Sequence, residues 1–280
     1  MSPRYDITPT RIPPPKPTLP PQLLPDVVAL AHRAGEAILE VYAGEFDVTL
    51  KGDDSPLTIA DLRSHRIIAA GLDRLTPAVP VISEEAATVP LAERAAWEWV
   101  WLVDPLDGTK EFVSRNGEFT VNIALIHRHA PVLGVLHVPL TGTTWQAAAG
   151  LGAFRLDRDG TTTEVRVREA VVGPARVVGS RSHRGGGLDD LLARLGPHDF
   201  RPLGSASKFG LVAEGSADVY PRLGPTSEWD TAAGQAIVEI AGGHVVGRDG
   251  RPLRYNARET LLNPDFICYG DASRAWHELL

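Results

Sequence analysis

The sequence predicts a layered α/β protein, and three observations carry that prediction. Helical stretches with apolar residues every three or four positions alternate with short apolar runs of strand length. Two longer runs, residues 119–127 and 132–139, are separated by only a few residues, which predicts antiparallel pairing rather than an all-parallel sheet. A chain of 280 residues with 43% hydrophobic and 22% charged side chains can bury a large core and has an ordinary globular composition.

In chain order, residues 1–25 hold nine of the 23 prolines and predict an extended arm. The fold is expected to begin at Asp26, an N-cap after Pro25, with Val27, Leu30, Ala34, Ile38 and Val41 on one helical face. A short strand at 47–51 and a polar loop at 52–56 follow. Thr58 and Asp61, three residues apart, predict a capping box, with Asp in place of the usual Glu, opening a second helix. Residues 79–82 form a strand that delivers Ser83, Glu84 and Glu85, and a short helix at 91–97 precedes the central strand. That strand, Trp99-Val100-Trp101-Leu102-Val103, is expected to end at Asp104, because Pro105 has no N–H for the ladder.

Beyond it come strands at 119–127, 132–139, 145–148 and 152–156 and an exposed turn at 159–163. From about Ala175 the pattern restarts: strand 176–179, loop 180–187, helix 188–195, strand 200–203, helix 207–214 and strand 217–221. A longer helix at 228–241 ends at Gly242-Gly243. Strands at 245–246 and 266–269 and a closing helix at 272–280 complete the chain. The expected division is an arm (1–25), a first half (26–174) and a second half (175–280).

The net charge of −7 argues against a nucleic-acid polymer as partner, since such binding needs a basic surface. It permits a small nucleotide, which needs only local positive charge. The single cysteine, Cys268, sits in an apolar run, excludes an internal disulfide and fits a reducing compartment. No apolar run is long enough for a membrane span, and cytoplasmic residence is the expectation.

The chemistry concentrates at Asp104-Pro105-Leu106-Asp107-Gly108-Thr109. Two carboxylates flank a strand end, and the start of a helical turn follows at once. Carboxylates are hard oxygen ligands, and free amides at a helix start hold anions. Alone, this stretch would be an ordinary turn. Glu84 arrives in the same context, at a strand end, and Asp230 at a helix start, where an acid is also stabilised by the helix dipole.

The stretches DPLDGTKEF, ISEE and EWDTAAG, in that order, resemble the lithium-sensitive, magnesium-dependent phosphomonoesterases of the inositol monophosphatase superfamily, and within it the CysQ-type 3'(2'),5'-bisphosphate nucleotidases. The resemblance runs from about Asp26 to the C-terminus. The Asp-x-Asp loop of haloacid-dehalogenase phosphatases does not match, because here the acids are three apart with a proline between. Lys110-Glu111-Phe112 and Glu228 before Trp229 follow the nucleotidase pattern, where inositol monophosphatases usually carry Asn-Phe and Pro-Trp-Asp.

The resemblance implies an αβαβα sandwich of the inositol monophosphatase/fructose-1,6-bisphosphatase kind and hydrolysis of adenosine 3',5'-bisphosphate to AMP and phosphate. Inositol monophosphatase activity is the alternative, and a non-enzymatic phospholigand-binding protein would have lost a ligand acid. It further implies two or three Mg²⁺ ions with Li⁺ inhibitory, held by Glu84, Asp104, the Leu106 carbonyl, Asp107 and Asp230. The attacking water would be oriented by Asp53 with Thr109, Asp54 being the neighbouring alternative. Gly108 and Thr109 would receive the cleaved phosphate, near the metal ligands Glu84, Leu106, Asp107 and Asp230. Ser180, His183 and Lys208 would hold the second phosphate, and Glu228 would either hold a ribose hydroxyl or simply cap the helix. A monomer or homodimer is expected.

Overall fold

The computed structural model describes residues 19–51, 56–181 and 187–280. The elements in order are α1 (Leu23–Tyr42), β1 (Val48–Leu50), β2 (Pro56–Thr58), α2 (Ile59–Leu75), β3 (Val81–Ser83), α3 (Leu91–Arg94), β4 (Trp99–Asp107) and α4 (Thr109–Val113). Strands β5 (Thr120–His127), β6 (Ala130–Val138), β7 (Thr143–Ala148), β8 (Gly152–Leu156) and β9 (Thr162–Glu164) follow. The second half holds β10 (Ala175–Ser180), α5 (Gly187–Leu195), β11 (His198–Leu203), α6 (Ser207–Ala213), β12 (Val219–Arg222), α7 (Glu228–Ile240), β13 (His244–Gly247), β14 (Phe266–Tyr269) and a final 3₁₀ turn, Trp276–Leu279.

A seven-stranded sheet runs β3-β4-β5-β6-β7-β8-β9, with β3 parallel to β4 and every other pair antiparallel. Its two faces follow from the period-two alternation of its strands. Trp101, Val103, Ile123 and Val135 pack under α1 and α2. Val100, Leu102, Ala124 and Leu136 pack against α6 and α7. Those helices are covered in turn by Val178, Tyr220, Phe266 and Cys268 of a five-stranded sheet ordered β11-β10-β12-β14-β13. The far face of that sheet, through Val177, Val219 and Ile267, meets Leu192 and Leu195 of α5 and Trp276. Five layers result, αβαβα, as the fold class implied.

Two close approaches fix α7, the helix that starts beside the cavity described below. At Gly134 in β6, a Cβ would collide with the Ala233 carbonyl, so the helix backbone rests directly on the sheet. At Gly234, a Cβ would collide with the Phe209 ring of α6.

Several expected boundaries move. Helix α1 begins at Leu23, not Asp26, because Leu19, Leu23 and Leu24 are buried in the α1–sheet core, so residues 19–25 pack rather than extend. Pro25 is tolerated in the first turn, where its missing N–H would have no partner anyway. Strand β4 does not stop at Asp104: it continues to Asp107 through a register shift between those two residues, the usual accommodation of a proline. Strands β2 and β9 lie where a loop and a turn were expected. The closing helix is only the 3₁₀ turn, since Asp271 binds the Ser273 amide and hydroxyl and its carbonyl takes the Trp276 indole N–H.

Candidate active site

The irregularity in β4 builds the first wall of a cavity of about 300 Å³. Asp104 pairs with Asn122 and Asp107 with Thr120, with the irregular step between. Asp104 Oδ1 accepts the Leu106 amide at 3.1 Å, and the Pro105 carbonyl accepts the Ser64 hydroxyl of α2 at 2.7 Å. The bend is therefore held from both sides. Asp107 Oδ2 accepts Asn122 Nδ2 at 3.3 Å and the Thr120 hydroxyl at 3.4 Å. Gly108 then takes φ 91°, where a Cβ would stand 3.0 Å from the Glu118 carbonyl, and the chain enters α4. With five residues α4 has little macrodipole, so what it offers an anion is its free amides.

Two other elements bring acids to the same cavity. Glu84 follows β3, its amide bonded to the Val103 carbonyl at 3.2 Å. Its Oε1 accepts Lys51 Nζ at 2.6 Å, and Lys51 also holds Glu85 at 2.5 Å. Burial opposes the Lys51 charge, but the two carboxylates outweigh it and raise its pKa. Asp230 is the third residue of α7, where it closes a capping box by accepting the Ser227 amide at 2.8 Å.

Glu84, Asp104, Asp107 and Asp230 all line this cavity. Burial pushes the Asp104 carboxyl well above its usual range, and Glu84, Asp107 and Asp230 push it further. Asp230 is raised for the same reasons, against the Ser227 amide and Arg222. Asp107 is raised by burial despite Lys208 and Asn122. Excess buried negative charge on oxygen donors, with no thiolate or imidazole among the described lining residues, is a donor set that fits hard divalent cations. Among the described residues no three acids, histidines or cysteines are already gathered as a finished cage. The acids instead gather on one side, Glu84 within hydrogen-bond reach of Asp104.

Cationic side chains line the same cavity. Lys208 of α6 is 3% exposed, donates Nζ to the Leu203 carbonyl at 3.2 Å and to the Ser205 carbonyl, and lies 5.2 Å from the Tyr220 ring centroid. Burial lowers its pKa to about 8, against the raising effect of Asp107. Arg222, at the end of β12, gives Nη2 to the Pro225 carbonyl at 2.9 Å, while its buried Nε has no hydrogen-bond partner among the described residues. Ser180, at the end of β10, lines it too. The chain leaves β10 for β11 on one side and returns to β12 on the other, so Ser180 and Arg222 stand at a topological switch point.

The model of the inositol monophosphatase family matches residues 22–280. The chain belongs to the inositol monophosphatase family. A relative named 3'(2'),5'-bisphosphate nucleotidase CysQ, from Escherichia coli (strain K12), is 50% identical over 247 residues, covering 87% of this chain and 98% of its own. The crystal structure of CysQ from Bacteroides thetaiotaomicron, a bacterial member of the family, superposes with a TM-score of 0.75 at 42% identity, covering 88% and 97% of the two chains. An inositol monophosphatase from Anabaena (Nostoc) sp. PCC 7120 shares the fold, with TM-score 0.73 at 24% identity over 92% and 93%.

Of the residues singled out in the sequence, Glu84, Asp104, Leu106, Asp107, Gly108, Thr109, Ser180, Lys208 and Asp230 meet in this one cavity of the family fold. Asp53, Asp54 and His183 lie outside the described residues. Glu228 is not on the cavity wall. It is fully buried, its carboxylate accepting the Asn256 amide at 2.6 Å and Arg258 at 3.3 Å, so a ribose contact is replaced by a structural one. Burial, against those same partners and Arg94, raises its pKa to about 7.

Two residues were not read as site residues, though Asp61 was expected in the capping box that the structure shows. Asp61 closes the α2 capping box, Oδ2 accepting the Thr58 amide at 2.8 Å and hydroxyl at 2.7 Å. Its other oxygen accepts the Thr109 hydroxyl at 3.2 Å, the distance at which that hydroxyl also meets the Leu106 carbonyl. Burial raises the Asp61 carboxyl, against the two Thr58 bonds. The only local signal was a short acid where a capping box usually has Glu. Arg222 was signalled by a charge closing an otherwise apolar buried strand.

Proposed function

We propose that this chain is an Mg²⁺-dependent 3'(2'),5'-bisphosphate nucleotidase that hydrolyses adenosine 3',5'-bisphosphate to AMP and phosphate. The observation that carries the reading is a single cavity lined both by acids that need cations and by cationic side chains that need an anion. Lys208 and the unpartnered Nε of Arg222 supply the second set. The 50% identity to a bisphosphate nucleotidase supports the same substrate class.

In this reading Glu84, Asp104, Asp107, Asp230 and the Leu106 carbonyl hold the Mg²⁺ ions. Bound there, the ions supply Lewis-acid charge compensation for the reacting phosphate and the leaving ribose oxygen. The Gly108 and Thr109 amides seat the 3'-phosphate. Thr109 Oγ1 donates to Asp61 and keeps lone pairs that can accept a hydrogen bond from the attacking water. The water's proton can then pass through the threonine hydroxyl to the carboxylate, which acts as general base. The water oxygen attacks phosphorus as the P–O3' bond breaks, and the 3'-oxygen takes up a proton on leaving. The 5'-phosphate lies toward Lys208, Arg222 and Ser180. The half at 26–174 thus supplies most of the cation site, and the half at 175–280 most of the substrate site.

The test is phosphate release from adenosine 3',5'-bisphosphate with and without Mg²⁺. Turnover should vanish in excess chelator and fall in millimolar Li⁺. Full turnover in chelator would refute the metal assignment.

A further inference from the structure

The anion-binding wall belongs to the second half of the chain, yet a carboxylate of the first half holds it in place. Strands β10 and β11 run parallel and end side by side, the last bond joining the Arg181 amide to the Leu203 carbonyl at 3.1 Å. Beyond that bond the chain leaves β11. The 203–207 turn must then bend back so that the Leu203 and Ser205 carbonyls face Lys208 Nζ. Ser205 does so at φ 47°, a left-handed conformation that an L side chain adopts only where its surroundings hold it.

Glu118 holds it from the first half, beside the bonds of Ser207 to Ser205 and Gly204 and the bond of the Ala206 amide to Asp107. Glu118 sits between α4 and β5 in a tight turn, its amide bonded to Asn116 Oδ1 at 2.9 Å after Gly117 at φ 79°. Glu118 Oε2 accepts the Gly204 amide at 2.6 Å and Arg181 Nε at 3.0 Å, while Oε1 accepts Arg181 Nη2 at 2.6 Å. The pair with Arg181 is open to solvent, with 45% of the arginine side chain exposed, and alone would count for little. The Gly204 bond is charge-assisted and fixes backbone. The approach is also close: a Cβ on Gly204 would stand 2.6 Å from Glu111 Cγ and 2.8 Å from the Glu118 carbonyl. The turn therefore lies directly on the wall that starts at Gly108. Burial would raise the Glu118 carboxyl, but Arg181 and the Gly204 amide outweigh it, so the group stays ionised at neutral pH.

We propose that Glu118 is a positioning residue for substrate specificity, docking the Gly204 turn and Arg181 onto the acid-bearing half so that Lys208 meets the phosphate that is not cleaved. The inference rests on the nucleotidase reading above. Glu118 touches neither reacting atom, so its loss should weaken the hold on the second phosphate and leave the chemical step alone.

The experiment compares wild type, Glu118→Ala and Glu118→Gln, each checked by thermal unfolding, on adenosine 3',5'-bisphosphate and on 3'-AMP, which lacks the 5'-phosphate. Glu118→Ala should raise KM for the bisphosphate about ten-fold while kcat holds within about two-fold, a loss of placement rather than chemistry. Its kcat/KM for 3'-AMP should hold within the same two-fold. Glu118→Gln keeps an acceptor for the Gly204 amide but loses the ion pair and turns its NH₂ toward Arg181 Nη2, so it should recover part of the bisphosphate KM. Unchanged bisphosphate KM in folded Glu118→Ala, or an equal fall on both substrates, overturns the inference alone. A wild type that does not prefer the bisphosphate over 3'-AMP overturns the nucleotidase reading and this inference with it.

Discussion

Replacing Asp61 by Asn changes the direction of one hydrogen bond and removes one base, with almost no change of shape. The Thr58 backbone N–H can only donate and lies 2.8 Å from Oδ2, so the new amide must turn its oxygen toward Thr58. Its NH₂ group then faces the Thr109 hydroxyl, 3.2 Å from the other position, and donates where the carboxylate accepted. Thr109 sends its own proton to the Leu106 carbonyl, also 3.2 Å away, and no base stands behind it. Losing a positioned general base should lower kcat by about 10²–10⁴, or roughly 3–5 kcal/mol of barrier. The helix cap keeps its form, and because burial already disfavours the Asp61 charge, the variant should be as stable as wild type, with Tm no more than about 2–4 °C lower. Steady-state phosphate release at saturating Mg²⁺ and substrate measures the first quantity, and thermal unfolding the second. Thr109→Val should fall as far, and the double variant no further, because the two groups act as one relay. A folded Asp61→Asn protein with kcat within about five-fold of wild type would remove Asp61 from the reaction.

Asp107→Asn should cut kcat by about 10² or more, since it neutralises an acid proposed to hold the cation. In chelator it should be at least as stable as wild type, because burial already disfavours that charge; lower stability with kcat retained would contradict both points. His137 shares a 2.9 Å hydrogen bond with Thr144 and packs against His32, and burial, with His32 adding to it, pushes its pKa to about 3. Above pH 6.5 it is neutral folded and unfolded. As pH falls below 6.5 only the unfolded chain takes up the proton, so stability should drop by about 2 kcal/mol by pH 5 from this group. Denaturant titrations at pH 7 and 5 should show His137→Gln losing that much less than wild type; equal losses would refute it.

What the sequence showed and what it hid divide along a physical line. Burial patterns are local, so β4, β5, β6 and α7 were legible from apolar runs and helical spacing, and the order of motifs was enough for the αβαβα class. The antiparallel partnership of β5 and β6 followed from the short connection alone. Partners distant in the chain were not legible. Asp61 and Thr109 are 48 residues apart and meet only because α2 and α4 both abut the end of β4. Glu228 looked like a site acid because it precedes Asp230, but successive helix residues point in different directions, and it turns to Asn256 and Arg258. Pro105 was expected to end a strand, and a register shift carried the strand past it. Arg222 could be noticed as a charge in an apolar strand, though its place in the cavity with the acids depends on the crossing of β10 and β12.

The comparison that bears most directly on the substrate is kcat/KM for adenosine 3',5'-bisphosphate against inositol 1-phosphate, both in Mg²⁺. A wall of buried cations left unpaired by a substrate with one phosphate should favour the bisphosphate by about 10² or more. Inositol 1-phosphate hydrolysed as well as the bisphosphate, or better, would contradict the assignment of Lys208 and Arg222 to a second phosphate and make the protein an inositol phosphatase.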